Sequence, residues 1–377
     1  MGDRSAIEWT DASWNPIVGC SIVSPGCTNC YAMRQAHRMK HFAEARTGSP
    51  ADTHYFGTTK VVNGKPVWTG MMRAAPEHIL LQPLRWRRPR MIFANSMSDL
   101  FHESISDEEI DRVFAVMAVT PWHTYQVLTK RSGRMRRYFS DRSYGSRWIE
   151  AMRRLHPPPN GRGMLLKTTD GALPNVWLGV STEDQRRADE RVPDLLATPA
   201  TVRFVSAEPL LGPIEFDAAW HGESALGGEC WGDCAWCEQG HPPLHNCHRG
   251  RQSTAAFEKG RSGLDWIIVG GESGPGARPM HPDWARSIRD QCEAADVPFF
   301  FKQWGEWCPA TSDFGVSGHQ MPATDEKFTW IGWDGRTQNP SWHGLPAPVM
   351  AIAKMGKRRA GRLLDGREHS DMPRRAA

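Results

Sequence analysis

The sequence has no long apolar run and only a small excess of charge. No stretch approaches the about 18 apolar residues that a membrane-spanning helix needs. The first residues, Met1–Trp9, lack the apolar segment of a secretion signal. We therefore expect a cytoplasmic protein that does not act in a membrane. The formal net charge of +4 permits a phosphate-bearing partner without requiring one.

A fourth cysteine is missing beside the first three. Cys20, Cys27 and Cys30 are close together in the chain, and the next cysteine is Cys230. A 4Fe-4S cluster normally has four thiolate ligands. With three, one iron stays open to an exchangeable ligand, such as the amino and carboxylate groups of S-adenosylmethionine. The spacing predicts a 4Fe-4S cluster with this cofactor, and hence radical chemistry.

Two other interpretations of these three cysteines stay open. A tetrahedral zinc site needs a fourth Cys or His at short spacing, and His37 is the only near candidate. Simple burial of the thiols, or a disulfide, is the other, because cysteine is among the most buried residue types. Pro25 and Gly26 predict a tight turn that carries Cys27 and Cys30.

A second cysteine group lies in a polar, glycine-rich segment at 215–262. Its four thiols are Cys230, Cys234, Cys237 and Cys247. Four thiolates complete the coordination of zinc, and metal binding would supply folding energy that this segment cannot obtain from apolar residues. The segment therefore predicts a small Cys/His-rich zinc-binding insertion. An auxiliary 4Fe-4S cluster and no metal at all are the alternatives.

Short apolar runs alternate with amphipathic stretches along most of the chain. This alternation predicts the α/β class, with βα units around a parallel sheet that forms a partial (βα) barrel. The predicted strands are 13–18, 90–95, 123–129, 176–180, 202–206, 266–269 and 298–301. The predicted helices include 107–119, 182–196 and 282–294, each opened by Asp, Thr or Pro.

Polar residues follow each of six predicted strands. In barrel folds the chemistry lies at the carboxyl ends of the strands. Lys130, Glu208 and Lys302 occupy such ends, and we expect them to be catalytic residues that hold an anionic or hydrogen-bonding substrate.

The chain is expected to have four parts. They are a first barrel part with the cluster loop (1–214), the Cys/His-rich insertion (215–262), a last barrel part (263–310) and a C-terminal extension (311–377). The extension ends in a basic tail from Lys354. A solvated tail is the default expectation, and contact with nucleic acid or phosphate is the alternative.

Long blocks of the sequence resemble a family of phage and prophage proteins of unknown function that carry this three-cysteine motif. The blocks span nearly the whole chain and are Thr10–Pro16, Ser96–Glu103, Leu128–Arg131, Glu208–Gly212, Val269–Gly274 and Phe301–Gly305. That family is in turn similar to radical S-adenosylmethionine enzymes, with spore photoproduct lyase among the nearer analogues.

The resemblance implies a radical-SAM-like barrel with the cluster in the loop after the first strand. It implies that Cys20, Cys27 and Cys30 ligate iron, that Tyr31 packs beside the cluster, and that Ser96, Ser98 and Asp99 face the methionine or ribose part of the cofactor. Six residues separate Cys20 from Cys27, where three are usual in the wider superfamily. The Gly-Gly-Glu element that usually holds the cofactor amino group occurs late, and its Glu272 is expected to face the pocket.

The expected function is that of a radical S-adenosylmethionine enzyme. It would cleave the cofactor reductively and abstract hydrogen from an unknown substrate. The charge balance and the phage resemblance favour a nucleotide or nucleic acid as substrate, and a reductase or flavodoxin-type protein would donate the electron. The alternative is a non-enzymatic zinc-binding phage protein that binds nucleic acid or a protein partner.

Overall fold

The computed structural model describes residues 5, 7–49, 51, 53–155, 168–169, 171–216, 225–226, 263–310, 327–338 and 343–373. The chain divides into two compact units. The first consists of Met1–Val180, Ala197–Arg203 and Ala376–Ala377, and the second of Ser181–Leu196 and Phe204–Arg375. The second cysteine group, Cys230, Cys234, Cys237 and Cys247, lies outside the described residues, so its metal stays a prediction.

The described residues contain both strands and helices. The strands are β1 Ala12–Trp14, β2 Ile17–Val18, β3 Thr59–Val62, β4 Lys65–Trp68, β5 Arg73–Ala74, β6 Met91–Ala94, β7 Thr124–Thr129, β8 Val176–Ser181, β9 Val202–Ala207, β10 Trp266–Gly270, β11 Phe299–Gln303, β12 Trp307–Pro309, β13 Phe328–Gly332, β14 Thr337–Gln338 and β15 Val349–Lys354. The α-helices are α1 Tyr31–Thr47, α2 Glu77–Leu80, α3 Asp107–Val119, α4 Ser132–Ser140, α5 Tyr144–Arg153, α6 Gln185–Leu196, α7 Pro282–Ala294 and α8 Lys357–Ala360. Short 3₁₀ helices occupy Pro25–Cys27 and Gln82–Arg85.

The first unit contains a parallel sheet in the order β1, β6, β7, β8. Its strands are in register, because Trp14 pairs with Ala94, Ala94 with Val127, and Val127 with Leu178. These strands are largely apolar and buried, as is usual for parallel strands that are covered on both faces. The sheet thereby brings the carboxyl ends of its strands to one edge.

The local sequence determines where helix α3 begins. Ser106 and Glu109 form a capping box in which each side chain accepts from the other residue's backbone N–H, and the helix therefore begins at Asp107. Its apolar face is buried, and the ring of Phe114 stacks on that of Trp148 in α5 with the centroids 4.9 Å apart.

The predicted strand 13–18 is two short strands. β1 joins the parallel sheet, whereas β2 pairs antiparallel with β5. The break falls at Asn15 and Pro16, because proline has no backbone N–H to continue the ladder. The side-chain oxygen of Asn15 accepts instead from the Ser96 hydroxyl at 3.1 Å and from the Met97 amide at 3.0 Å. The chain therefore leaves the sheet shortly before the first cysteine.

The described residues of the second unit form strands of two kinds, parallel and antiparallel. β9, β10 and β11 are parallel, with Val205 opposite Ile267 and Ile267 opposite Phe299. An antiparallel sheet has the order β12, β15, β13, β14. Three of its strands lie within 311–377, where the sequence analysis identified only an extension.

The predicted α/β class is confirmed. Each predicted strand region contains a strand, and the helices at 107–119 and 282–294 have the predicted bounds. Helix α6 begins at Gln185 instead of 182, because the Asp184 carboxylate accepts from the Arg187 amide at 2.9 Å and caps the helix there. None of the helices in the described residues combines the length and apolar composition that crossing a membrane requires.

Candidate functional site

The segment that leads to Cys20 is held tightly by its neighbours. The Gly19 amide donates to the Met97 carbonyl at 3.1 Å, and the Ser98 hydroxyl donates to the Ile17 carbonyl at 2.9 Å. Gly19 has a φ of +100°, and a Cβ at this position would lie 2.1 Å from the Met71 carbonyl oxygen. Only glycine therefore fits this backbone path, and the path determines where Cys20 lies.

The three N-terminal thiols are free and lie near one another. Cys27 ends the 3₁₀ turn and Cys30 is the N-cap of α1, so these two come from one tight turn as the sequence predicts. Burial is the main cause of the raised pKa of Cys20 and of Cys30; the charges of Cys27 and Cys30 add to it at Cys20, and that of Cys27 adds to it at Cys30. The structure thus brings the three sulfur atoms close enough for Cys27 to affect the pKa of both Cys20 and Cys30.

Burial and the positive charge of Arg131 have opposite effects on the pKa of Cys20. Burial, with a further contribution from the nearby Asp99 carboxylate, raises the pKa of this thiol to about 12. The guanidinium of Arg131, with Nη1 3.7 Å from the sulfur, lowers it. Arg131 is therefore the group that favours a thiolate at this position.

The pKa of Cys30 is likewise raised by burial and lowered by neighbouring groups. Burial raises the pKa of this thiol, whereas the backbone amides of Ala32 and Met33, in the first turn of α1, lower it. The ammonium group of Lys130 also lowers it. Because a helix N-terminus and a cation both stabilise negative charge, the site counteracts the effect of burial on this sulfur as well.

Arg131 is buried, with 3% of its side chain exposed, and each of its guanidinium nitrogens has a partner. Nε donates to the Glu103 carboxylate at 2.9 Å, Nη1 to Asp99 at 3.0 Å, and Nη2 to the Ser21 hydroxyl at 2.7 Å. This planar fork fixes the guanidinium beside Cys20.

The Asp99 carboxylate is fully occupied by protein donors. One oxygen accepts from the Thr129 hydroxyl at 2.7 Å and the Phe101 amide at 3.1 Å, and the other accepts from the Lys130 amide at 2.9 Å and from Arg131. Asp99 therefore connects the end of β7 to the loop after β6 through hydrogen bonds. The cofactor contact that the resemblance implies for it stays a prediction.

Tyr31, Ser96 and Ser98 also support the cysteine loop. The Tyr31 hydroxyl donates to the Ser96 carbonyl at 3.1 Å, and the Tyr31 ring is half exposed. The Ser96 and Ser98 hydroxyls donate to Asn15 and Ile17. Four residues that the resemblance places beside the cluster or the cofactor, Tyr31, Ser96, Ser98 and Asp99, thus lie in the first unit with the three thiols, whereas Glu272 belongs to the second unit.

His102 and Ser21 are site residues that the sequence analysis missed. Burial, and then the charge of Arg131, lower the pKa of His102, so the ring is neutral. Its Nδ1 accepts from the Ser104 amide at 3.1 Å, which places the proton on Nε2, 3.0 Å from the Ser21 hydroxyl oxygen. Only the position of His102 within the Ser96–Glu103 block could have indicated this role.

Asn95 is a further candidate in the same loop. Its φ is +62° and its side chain is 2% exposed. Neither amide atom has a hydrogen-bond partner among the residues that the structure describes. Asparagine tolerates this left-handed backbone. An unpaired buried amide, however, costs about 1–3 kcal/mol, so its retention in the loop calls for an explanation such as a functional role.

In the second unit, the strand-end carboxylates are paired with cations. Lys302 Nζ lies 2.8 Å from both Glu208 oxygens, and the Gln303 side-chain amide donates to Glu208 at 3.1 Å. Glu272, which the sequence analysis expected to face a pocket, accepts from the Arg278 guanidinium at 2.6 and 2.9 Å. Lys302 and Glu208, two predicted catalytic residues, thus contact each other.

The family of the chain follows from a comparison of its sequence with models of protein families. The model of a family described as "Protein of unknown function (DUF5131)" matches residues 4–373. The chain belongs to the DUF5131 family. No curated protein and no solved structure matches it significantly. The family description states no activity for this DUF5131 member.

The described residues of this DUF5131 protein do not by themselves identify a bound metal. In the part of the chain that the structure describes, no group of three or more His, Cys, Asp or Glu side chains is arranged to hold a metal ion. His37, the only near candidate for a fourth zinc ligand beside the thiols, has its Nε2 3.1 Å from Nε2 of His41.

Proposed function

We propose that this protein is a radical S-adenosylmethionine-type iron-sulfur enzyme in which Cys20, Cys27 and Cys30 hold a 4Fe-4S cluster. The proposal rests on three neighbouring free thiols, two of which have groups that favour a thiolate. A cluster holds its thiolates on separate iron atoms, so its ligands surround a shared space and do not converge on one ion. When bound, it would supply the electron that cleaves S-adenosylmethionine and so generates a hydrogen-abstracting radical.

The protein's own groups would prepare the ligands. Iron ligation needs deprotonated sulfur, and burial alone opposes this. Arg131 favours the Cys20 thiolate, while the amides at the start of α1 and Lys130 favour that of Cys30. The surrounding apolar side chains, which include Val18, Met33 and Trp68, would limit the access of water and oxygen.

The proposal includes a partial (βα) barrel and an anionic substrate. The parallel strands and their connecting helices support the barrel.

The anionic substrate is suggested by Lys130. Its side chain is half-buried and lies near Cys30, where an ammonium group suits a phosphate such as that of a nucleotide or nucleic acid. A reductase or flavodoxin-type protein would supply the electron, and the second cysteine group would hold zinc.

The first test is metal analysis of protein prepared without oxygen. We expect a brown protein that absorbs near 400 nm and contains iron and labile sulfide. Cys27→Ala should lose both iron and sulfide. Cys308→Ala, which removes a buried thiol of the second unit, is the matched control and should keep them.

The second test concerns the cofactor. With dithionite and S-adenosylmethionine, the native protein should release 5′-deoxyadenosine and Cys27→Ala should not. If the protein contained the cluster but released no 5′-deoxyadenosine, it would be an iron-sulfur protein and the proposed reaction would be wrong. A colourless protein with stoichiometric zinc and no iron would instead support the alternative, a non-enzymatic zinc-binding protein that binds nucleic acid or a protein partner.

A further inference from the structure

Helix α1 carries two histidines whose rings meet. His37 and His41 are four residues apart and so lie on the same face of the helix. Their Nε2 atoms are 3.1 Å apart and their ring centroids 4.5 Å apart. The His41 side chain is 55% exposed, so the pair is open to ions in solution.

The separation of the two nitrogens suits a shared metal ion. Zinc binds imidazole nitrogen at about 2.0–2.1 Å, so two such nitrogens lie about 3.4 Å apart at a tetrahedral angle and about 2.9 Å apart at a right angle. The observed 3.1 Å lies between these values. The helix therefore holds both nitrogens at the spacing that one ion requires.

Glu44 orients the second ring. Its carboxylate lies 3.1 Å from His41 Nδ1, and because a carboxylate only accepts, this nitrogen carries the proton. In the tautomer that donates to Glu44, the lone pair of His41 is on Nε2, toward His37. A carboxylate behind a ligating imidazole is the usual arrangement around bound metals, where it fixes the ring and increases its basicity.

His37 supplies the other nitrogen. Burial lowers the pKa of His37, protonation of His41 would lower it further, and the charge of Lys40 acts in the same direction, so the His37 ring is neutral at pH 7. Without metal, its Nε2–H donates to His41. Metal binding requires this proton to move to Nδ1, which is buried and has no hydrogen-bond partner among the described residues. This cost and the positive charge of Lys40 both oppose the incoming cation.

We propose that His37 and His41 form a binding site for a divalent transition-metal ion of the zinc class. Glu44 is the positioning residue, and water completes the coordination. Two protein ligands leave the remaining positions exchangeable, unlike a closed four-ligand structural site. The site lies on α1 beyond the cysteine loop and does not depend on the cluster.

Zinc itself is the probe. The full-length protein is dialysed against buffered zinc and its bound metal is counted. His37→Ala and His41→Ala should each lose the same single equivalent, and the double variant should lose no more. His78→Ala removes an exposed histidine from α2 and should keep the native count. Far-UV circular dichroism checks that α1 remains folded.

Two milder variants separate positioning from folding. Glu44→Gln should weaken zinc binding about tenfold, because it removes the orienting charge but no ligand. Lys40→Gln should strengthen it about threefold, because it removes a nearby cation. An unchanged zinc count in both histidine variants would refute the site. If Cys27→Ala lost the same equivalent as His37→Ala, the zinc would belong to the cysteines and the proposal would be wrong.

Discussion

The guanidinium of Arg131 connects the sulfur of Cys20 to the carboxylate of Asp99. Its Nη1 lies 3.7 Å from the sulfur and 3.0 Å from the carboxylate oxygen. Both Arg131 and Asp99 are buried, so neither charge is solvated by water if the other is removed. The same cation therefore stabilises the fold at the ends of the strands and adjusts the charge state of a predicted iron ligand.

Replacement of Arg131 by Met should destabilise the protein by about 3 kcal/mol, because the buried Asp99 carboxylate loses its counter-ion. Urea unfolding measures the loss. Arg112→Met is the control: it breaks an exposed ion pair with Glu77 and should cost less than about 1 kcal/mol. Equal losses in the two variants would contradict the role of burial. Arg131→Met should also lower the iron content of anaerobic preparations.

Replacement of Gly19 by Ala should cost at least about 3 kcal/mol. The new Cβ would lie 2.1 Å from the Met71 carbonyl oxygen, and φ is +100°. Gly48→Ala is the matched control, since φ there is +78° and nothing lies within 4 Å of the added atom. That variant should cost about 1 kcal/mol. Thermal unfolding of both variants would show whether the close contact or only the backbone angle matters.

Lys302 and Glu208 should be energetically coupled. The ammonium group contacts both carboxylate oxygens at 2.8 Å, and the two side chains are only 13% and 20% exposed. Lys302→Met should therefore cost about 2 kcal/mol, and the loss should be smaller when Glu208 is already Gln. A double-mutant cycle measures this coupling, and additive losses would show that the pair is independent. Lys60→Met, an exposed change, should cost less than about 0.5 kcal/mol.

Asp365 should make stability depend on acid pH. Hydrogen bonds from Arg286 and Arg289 lower its pKa to about 2, although burial opposes the shift. A carboxyl with a lowered pKa in the folded state stabilises the protein above its unfolded pKa of about 4 and loses this effect as the pH falls to about 2. Asp365→Asn should be less stable than the native protein at pH 7, by up to about 1 kcal/mol, since the pair is partly exposed.

Thermal unfolding of the native protein and Asp365→Asn across this range is the measurement. The difference between them should shrink as the pH falls from about 4 to about 2. A difference that stays constant with pH would show that the ion pairs of Asp365 do not contribute to stability.

The parallel strands and the long helices could be predicted from the sequence. Apolar runs such as 123–129 and the amphipathic segment 107–119 carry a local periodicity, and their ends carry local caps such as Ser106. The break at Pro16 and the antiparallel sheet formed largely from the C-terminal part were missed. Short strands with mixed burial, such as β13 and β15, have no clear alternation.

The candidate site was predicted only in part. The spacing of Cys20, Cys27 and Cys30 predicted that the three thiols lie near one another, because they are close in the chain, and the metal or cluster that they would hold stays a prediction. Asp99 and Arg131 lie in two of the sequence blocks that carry the family resemblance, Ser96–Glu103 and Leu128–Arg131. The sequence did not indicate that they bind each other, or that Ser21 and His102 join them.

The amino-acid sequence by itself determined the α/β alternation, the family and the three neighbouring thiols, because periodicity and spacing are properties of adjacent residues. Tertiary structure alone decided the charge partners. Arg131 is 111 residues from Cys20, and Lys302 is 94 residues from Glu208. Contacts over such separations depend on strand order and register, which place the carboxyl ends of distant strands side by side.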